Sequence, residues 1–239
     1  MLRYLVPVIK SNTFLFAVFS GAIFYAIQFH SSDFLKIGNS EFPIRKIEFD
    51  GNERVSDVLL LKMSGLRHKN NIFSYSLDDV KNKLESIAWI KSVAVQRKLP
   101  DTVYVRIAER TPIAILQSKY KLYLIDSEGK ILENDGVIGS NNLPIIVGEG
   151  AEKETDQLLR CLDKFPKIRK QLVFAVRVGR RRWNIKINRG VTVKLPESGI
   201  THSLGILEEI SDGNGFFSDD IDAIDLRIPD RVIVTKKSK

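Results

Sequence analysis

The sequence predicts an α+β protein with a single N-terminal transmembrane helix, a first soluble module ordered strand-helix-helix-strand-strand, and a β-rich module with flanking helices. Three observations predict this. Thr13 to Phe29 is apolar and carries no charge. Residues 43–112 pass from alternating to helical apolar periodicity and back again. From 113 to 235, short alternating apolar runs recur between turn residues, with helical spacing in two places. The expected layout is a cytoplasmic segment at 1–12, the membrane helix at 13–29, a linker at 30–42, modules at 43–112 and 113–235, and a tail at 236–239.

The apolar run of 17 residues would span about 25 Å as a helix, close to the roughly 30 Å of a bilayer core. Arg3 and Lys10 precede it with no acid, so the positive-inside rule places the N-terminus in the cytoplasm and the bulk of the chain outside. Ser20-Gly21-Ala22 offers a signal-peptide cleavage site, but the run continues to Phe29, which favours an uncleaved anchor. Removing Arg3 and Lys10 leaves 35 basic and 29 acidic residues, a mild excess that does not demand nucleic acid.

In the first module, Ile44 to Phe49 reads as a strand with Ile47 and Phe49 on one face, and Asp50-Gly51-Asn52 as a turn. Ser56 is an expected N-cap, with Leu59, Leu60 and Met63 as the apolar stripe and Gly65 as the stop. Ser76-Leu-Asp-Asp79 opens a second helix bearing Leu77, Val80, Leu84 and Ile87. Val93 and Val95, then Val103, Val105 and Ile107, mark two strands; Tyr104 and Arg106 fall on the face away from the helices.

In the second module, Leu124 to Leu132 reads as a hairpin about Gly129. Leu143 to Gly148 follows as a strand, then a helix over 152–165 ended by Pro166. Phe174–Val178, Trp183–Ile187 and Val191–Leu195 alternate strictly, so one face of their sheet is buried. A helix near His202–Ser211 precedes Ile224–Arg227 and a final strand over Ile228–Val234. Cys161, the single cysteine, sits among leucines as a half-buried small residue.

Chemistry finds little support. His30, His68 and His202 lack metal-ligand spacing, and no phosphate loop, nucleophile elbow or Cys-x-x-Cys occurs. Asp126, Glu128 and Asp135 read as turn hydrogen bonding, and Asp225 with Arg227 as a structural pair. Arg180-Arg181-Arg182-Trp183 suits phosphate and base contacts in principle, but reads here as a strand whose Trp183 faces the core, with Arg181 a candidate partner contact. The chain therefore reads as a non-enzyme with no cofactor, no metal, no small-molecule substrate and no nucleic-acid partner. Its terminal strand, with Pro229 at the start, suits a sheet edge open to another protein's strand.

Ile47-x-Phe49-x-Gly51-Asn52-x-x-Val55-Ser56, Asn71-Ile72-Phe73, Trp89-Ile90-x-x-Val93-x-Val95-x-Arg97-x-Leu99-Pro100 and Val105-x-Ile107-x-Glu109-Arg110-x-Pro112-x-Ala114 together resemble a POTRA domain, most closely that of the FtsQ/DivIB bacterial division proteins. Leu-Ile-Asp-x-x-Gly-x-Ile at 124–131, Leu-Pro-Ile-Ile-x-Gly at 143–148, Arg181-Arg182-Trp183 and Ile-Asp-Leu-Arg at 224–227 extend the resemblance over both modules. It implies a single-pass inner-membrane divisome scaffold, periplasmic in bulk and enriched at the septum. It further implies that the last strand binds an FtsB/FtsL-type pair by strand addition through Ile228, Asp230, Arg231, Val232 and Val234, with FtsK and the septal peptidoglycan synthase complex as further contacts. Two other readings compete. One is an anchored periplasmic cell-wall enzyme, which needs a polar cleft with a perturbed carboxylate or a metal. The other is a POTRA-containing outer-membrane assembly or secretion factor, which needs a long barrel for which the chain has no room.

Overall fold

The computed structural model describes residues 42–132, 142–187, 190–214 and 220–237. The expected membrane helix at 13–29 lies outside the described residues, and among those described no helix is long and apolar enough to cross a membrane. The chain forms two compact units: one takes residues up to 51, 56–84 and 93–107, the other 52–55, 85–92 and everything from 108 onward.

The first unit is built on a three-stranded sheet, β1 (Lys46–Asp50), β3 (Thr102–Glu109) and β2 (Ile90–Lys98), in the order β1-β3-β2. β1 runs parallel to β3, from Lys46 opposite Thr102 to Asp50 opposite Arg106. Parallel neighbours need a crossover, which the helices α1 (Asp57–Ser64) and α2 (Leu77–Glu85) supply. Val103, Val105 and Ile107 are buried, while Tyr104 donates to Asp50 on the opposite face (2.5 Å) with Lys98 over its ring. Gly51 adopts φ +87°, and a Cβ there would lie 2.2 Å from the Ile107 carbonyl oxygen, so the expected turn also demands a close backbone approach.

α1 starts and stops where expected: Ser56 accepts from the Leu59 N–H (3.4 Å), and Gly65 closes the helix at φ 72°. Its buried face differs. Leu60 and Ser64 point inward, whereas Leu59 and Met63 are exposed. Periodicity in eight residues does not resolve such a rotation. Ser56→Ala should cost about 1 kcal/mol in chemical denaturation; an unchanged midpoint would mean that water satisfies the first-turn amides equally well. α2 buries Val80 and Leu84, with Ser76 accepting from the Asp79 N–H (3.2 Å).

The second unit carries an eight-stranded mixed sheet ordered β11-β10-β9-β8-β7-β6-β4-β5. The strands are β4 (Pro112–Ser118), β5 (Lys121–Asp126), β6 (Ile145–Val147), β7 (Leu172–Val178), β8 (Arg182–Ile187), β9 (Thr192–Lys194), β10 (Ile221–Asp225) and β11 (Ile233–Lys236). The helices are α3 (Ala151–Asp163), the short α4 (Pro166–Arg169) and α5 (Ile200–Asn214). The first of these helices ends at Asp163, two residues short of the expected 165, and Pro166 instead opens α4, where its missing N–H is harmless. Strict alternation holds in β8, where Trp183, Ile185 and Ile187 are buried with Leu158, Leu159 and Leu162 of α3 and Leu204 and Leu207 of α5, but not in β7, where Ala175 is buried and Phe174, Val176 and Val178 are only half-buried. Cys161 is half-buried and accepts from the Thr201 hydroxyl (3.8 Å).

Two expected elements change. The hairpin at 124–132 reduces to a turn with one bridge, Ile125 to Ile131; the full hairpin is β4–β5, closed by Lys119 and Tyr120, both at positive φ. No Gly, Asn or Asp marks that two-residue turn, so the usual sequence signal is missing. The last strand begins five residues later than Ile228. Asp230 takes φ 58°, and the Arg231 N–H donates to the Ile228 carbonyl (3.3 Å), so Ile228–Arg231 is a turn. Pro229 serves that turn rather than a strand start.

The second unit also shows what Glu109-Arg110 does. The Glu109 carboxylate accepts from the backbone N–H groups of Glu53, Arg54 and Val55 (2.9–3.1 Å). Arg54 then lies over Trp89, 4.6 Å from its centroid, and Trp89 packs on Ile115, Leu124 and Leu132. Arg110 pairs with buried Asp126 and with Glu128.

Candidate functional site

Among the described residues β11 is one of the two edge strands of the large sheet, β5 being the other, and all four of its residues are exposed, including Ile233 and Val234. Its backbone phase can be read directly. The Lys237 N–H donates to the Asp220 carbonyl (2.8 Å), so Lys237 faces β10; alternation turns Ile233 and Thr235 toward β10 and Val234 and Lys236 away. The Leu226 N–H donates to the Lys194 carbonyl (2.9 Å), which points Ala223 and Asp225 at β11 and agrees with their pairing to Thr235 and Ile233. The N–H and C=O groups of Val234 and Lys236 therefore project from the sheet edge, ready for a ladder with another strand.

The turn before β11 is held by charge and geometry. Arg227 grips Asp225 through its Nε (2.8 and 2.9 Å) and Nη2 (2.5 Å), and Asp225 also accepts from the Arg227 N–H (3.1 Å). Those guanidinium hydrogen bonds hold the Asp225 carboxyl below its ordinary range, against the opposing effect of burial. A value lowered by folding stabilises fully above the unfolded value and is lost as pH falls through the folded one. The stability difference between the parent and Arg227→Ala should thus be constant near neutrality and close in acid. A difference that persists unchanged in acid would remove the ion pair as its source. On the other side of the turn, His202 Nε2 lies 3.5 Å from Asp230 Oδ1.

Five of the six expected contact residues fall here, between 228 and 234. Ile228, Asp230 and Arg231 form the turn, Val232 is half-buried against the core, and Val234 is the one within β11. Ile233, Thr235 and Lys236 complete the edge; the Val-Ile-Val-Thr-Lys run contained that signal, but its phase did not follow from sequence. Arg181 stands apart. It lies in the β7–β8 turn, exposed and 3.8 Å from Glu197, at the mouth of a cleft of about 80 Å³ lined by Leu158, Trp183 and Ile200. β9 and β10 separate β8 from β11, which is roughly 14 Å across three strand spacings.

The carboxylates that a cleft enzyme would use are engaged. Asp126 accepts from the Glu128 and Lys130 N–H groups (2.9 and 2.8 Å), the turn bonding expected of it, and from Arg110. Among the described residues no group of His, Cys, Asp and Glu is arranged to hold a metal ion.

A β-α-α-β-β unit followed by a helix-backed mixed sheet with an exposed edge strand defines a two-module α+β protein of POTRA type. Residues 42–110 match the family model for the FtsQ-type POTRA domain, and 114–227 that for the C-terminal region of cell division protein FtsQ/DivIB. Cell division protein FtsQ of Rickettsia typhi is 33% identical over 195 residues, covering 82% of this chain and 73% of that protein. FtsQ of Bartonella bacilliformis is 31% identical over 234 residues, covering 96% and 76%. Among solved structures, the major extracytoplasmic domain of the division protein DivIB from Geobacillus stearothermophilus aligns at 15% identity and TM-score 0.34, covering 46% of this chain and 97% of that one. The chain belongs to the FtsQ/DivIB family of bacterial cell division proteins.

Proposed function

We propose that the protein is a bitopic inner-membrane scaffold of the division septum, with its N-terminus cytoplasmic and both modules periplasmic. It recruits and links other division proteins and catalyses no reaction. Its principal site is the β11 edge, which takes a strand from an FtsB-type protein paired with an FtsL-type one. Ile228, Asp230, Arg231, Val232 and Val234 flank that strand, and Arg181 offers a second contact at the same end of the sheet. The upstream division component FtsK and the septal peptidoglycan synthase complex would be reached through the POTRA-type module and through the FtsB/FtsL pair.

The observation that carries this reading is the pair of outward-facing backbone units at Val234 and Lys236 on an exposed edge strand. Main-chain hydrogen bonds to such an edge give affinity, and alternate side chains give selectivity. The test is affinity capture of the full chain, extracted from membranes in mild detergent, with mass spectrometry of what comes with it. Small single-pass coiled-coil division proteins should dominate. Their absence from a folded, membrane-extracted bait would overturn the scaffold assignment.

A further inference from the structure

We propose that the tip of the POTRA-type unit at Phe73 docks on the anionic lipid surface of the membrane that anchors the chain; this rests on the anchored reading above. Phe73 is 52% exposed, yet it is not loose. It sits in the 3-10 turn Ile72–Ser74, where the N-cap Asn71 accepts through Oδ1 from the Phe73 N–H (2.7 Å). Ile72 beneath it is buried at 1% exposure and fixes the turn to the core. Arg97 clamps the turn from the sheet, donating from Nε to the Ile72 carbonyl (3.0 Å) and from Nη2 to the Tyr75 carbonyl (2.6 Å), while its guanidinium lies 5.4 Å from the Phe73 ring centroid. Phe42 meets the same ring edge-on at 5.6 Å. An aromatic side chain held outward by this many contacts is a rigid apolar projection, the kind of group that sits well at the level of lipid headgroups.

Charge and chain path point to the same occupant. From Leu66 to Leu77 the sequence carries Arg67, His68 and Lys69 and no acid, and all three are exposed. The loop that presents them is tied down: the Arg67 N–H and the Asn70 amide both donate to the Tyr75 hydroxyl (3.1 and 2.7 Å). The chain enters the unit at this place, since the Ile72 N–H donates to the Phe42 carbonyl and Pro43 bridges to Asn71. Residues 30–41 are all that separate Phe42 from the apolar run ending at Phe29, a tether of at most about 40 Å when fully extended. The cationic, aromatic tip is therefore the part of the unit where the chain arrives from the bilayer, and each basic residue near an anionic surface strengthens binding about fivefold.

The full chain carrying Phe73→Trp should be reconstituted in nanodiscs of neutral phosphatidylcholine and in discs containing phosphatidylglycerol, each with and without bromine-labelled acyl chains. Emission is compared with the parent chain, whose Trp89 and Trp183 supply the background. Brominated lipid should quench the added tryptophan in the anionic discs only. Arg67→Ser with Lys69→Ser should lower the docking equilibrium constant by about 25-fold, and raised ionic strength should weaken docking in the same direction. Equal quenching in both discs, quenching in neither, or protection that appears only when a division partner is added would each overturn the lipid assignment while the chain remains in the disc. A chain that fails to enter discs at all overturns the anchored reading and this inference with it.

Discussion

On the proposed strand addition, Val234→Pro should leave the eight-stranded sheet folded and lower affinity for the strand-donating partner about a hundredfold. The Val234 N–H faces away from β10, so proline removes no internal ladder bond. An edge position is also where a sheet tolerates proline. What proline does remove is a donor that an incoming strand needs, leaving that strand's carbonyl unsatisfied; together these cost about 3 kcal/mol, which is roughly a hundredfold in Kd. Thr235→Pro is the informative contrast, because its N–H points at β10 and its loss should destabilise the edge itself. The check is a binding titration of purified full chain against the FtsB/FtsL-type pair, beside circular dichroism of each variant. Parent-like affinity in folded Val234→Pro would sink strand addition at β11 and move attention to Arg181 and its cleft.

Much of this edge is legible in the amino-acid sequence. The β-branched run Val232-Ile233-Val234 marks a strand, although Pro229 ahead of it serves the turn at 228–231 and not the strand start. Its phase is not legible, because the side-chain pattern of β11 is exposed on both faces and gives no alternation to read. Where one face is buried, as in β8, sequence and structure agree residue by residue. The same physics explains the roll of α1: Leu59, Leu60 and Met63 are all apolar, so their spacing does not say which turns inward, and the structure buries Leu60 alone of the three. The caps at Ser56 and Ser76 are readable because they act within three residues. The partners of Glu109 and Arg110 are not, because they lie at residues 53–55 and 126–128, and nothing in a local window reports a contact at that separation.

Arg110→Ala should lower the stability of the second unit by about 3–5 kcal/mol, because it strands a buried charge. Asp126 is only 3% exposed. Its Oδ1 accepts from the Glu128 and Lys130 amides, and its Oδ2 from Arg110 Nη1, which supplies the balancing charge. Arg110 Nε also donates to the Ile90 carbonyl (3.3 Å), so alanine orphans that contact as well. Glu128 contributes less: it is exposed and reached also by Lys91, though Arg110, ahead of Lys91, holds its carboxyl below the usual range. The decisive comparison is Arg110→Ala with Asp126→Asn. The amide keeps an oxygen for the two turn N–H groups but carries no charge, so the double variant should recover most of the loss. Failure to recover would mean that Arg110 acts mainly through the Ile90 carbonyl and its own packing. A loss below about 1 kcal/mol for the single variant would mean that water solvates Asp126 once the arginine is gone. The large-loss, recoverable outcome would assign Glu109-Arg110 two separate tasks, the carboxylate organising the 53–55 amides and the guanidinium neutralising the 126 turn. That would give both residues of the motif a physical role without any role in catalysis.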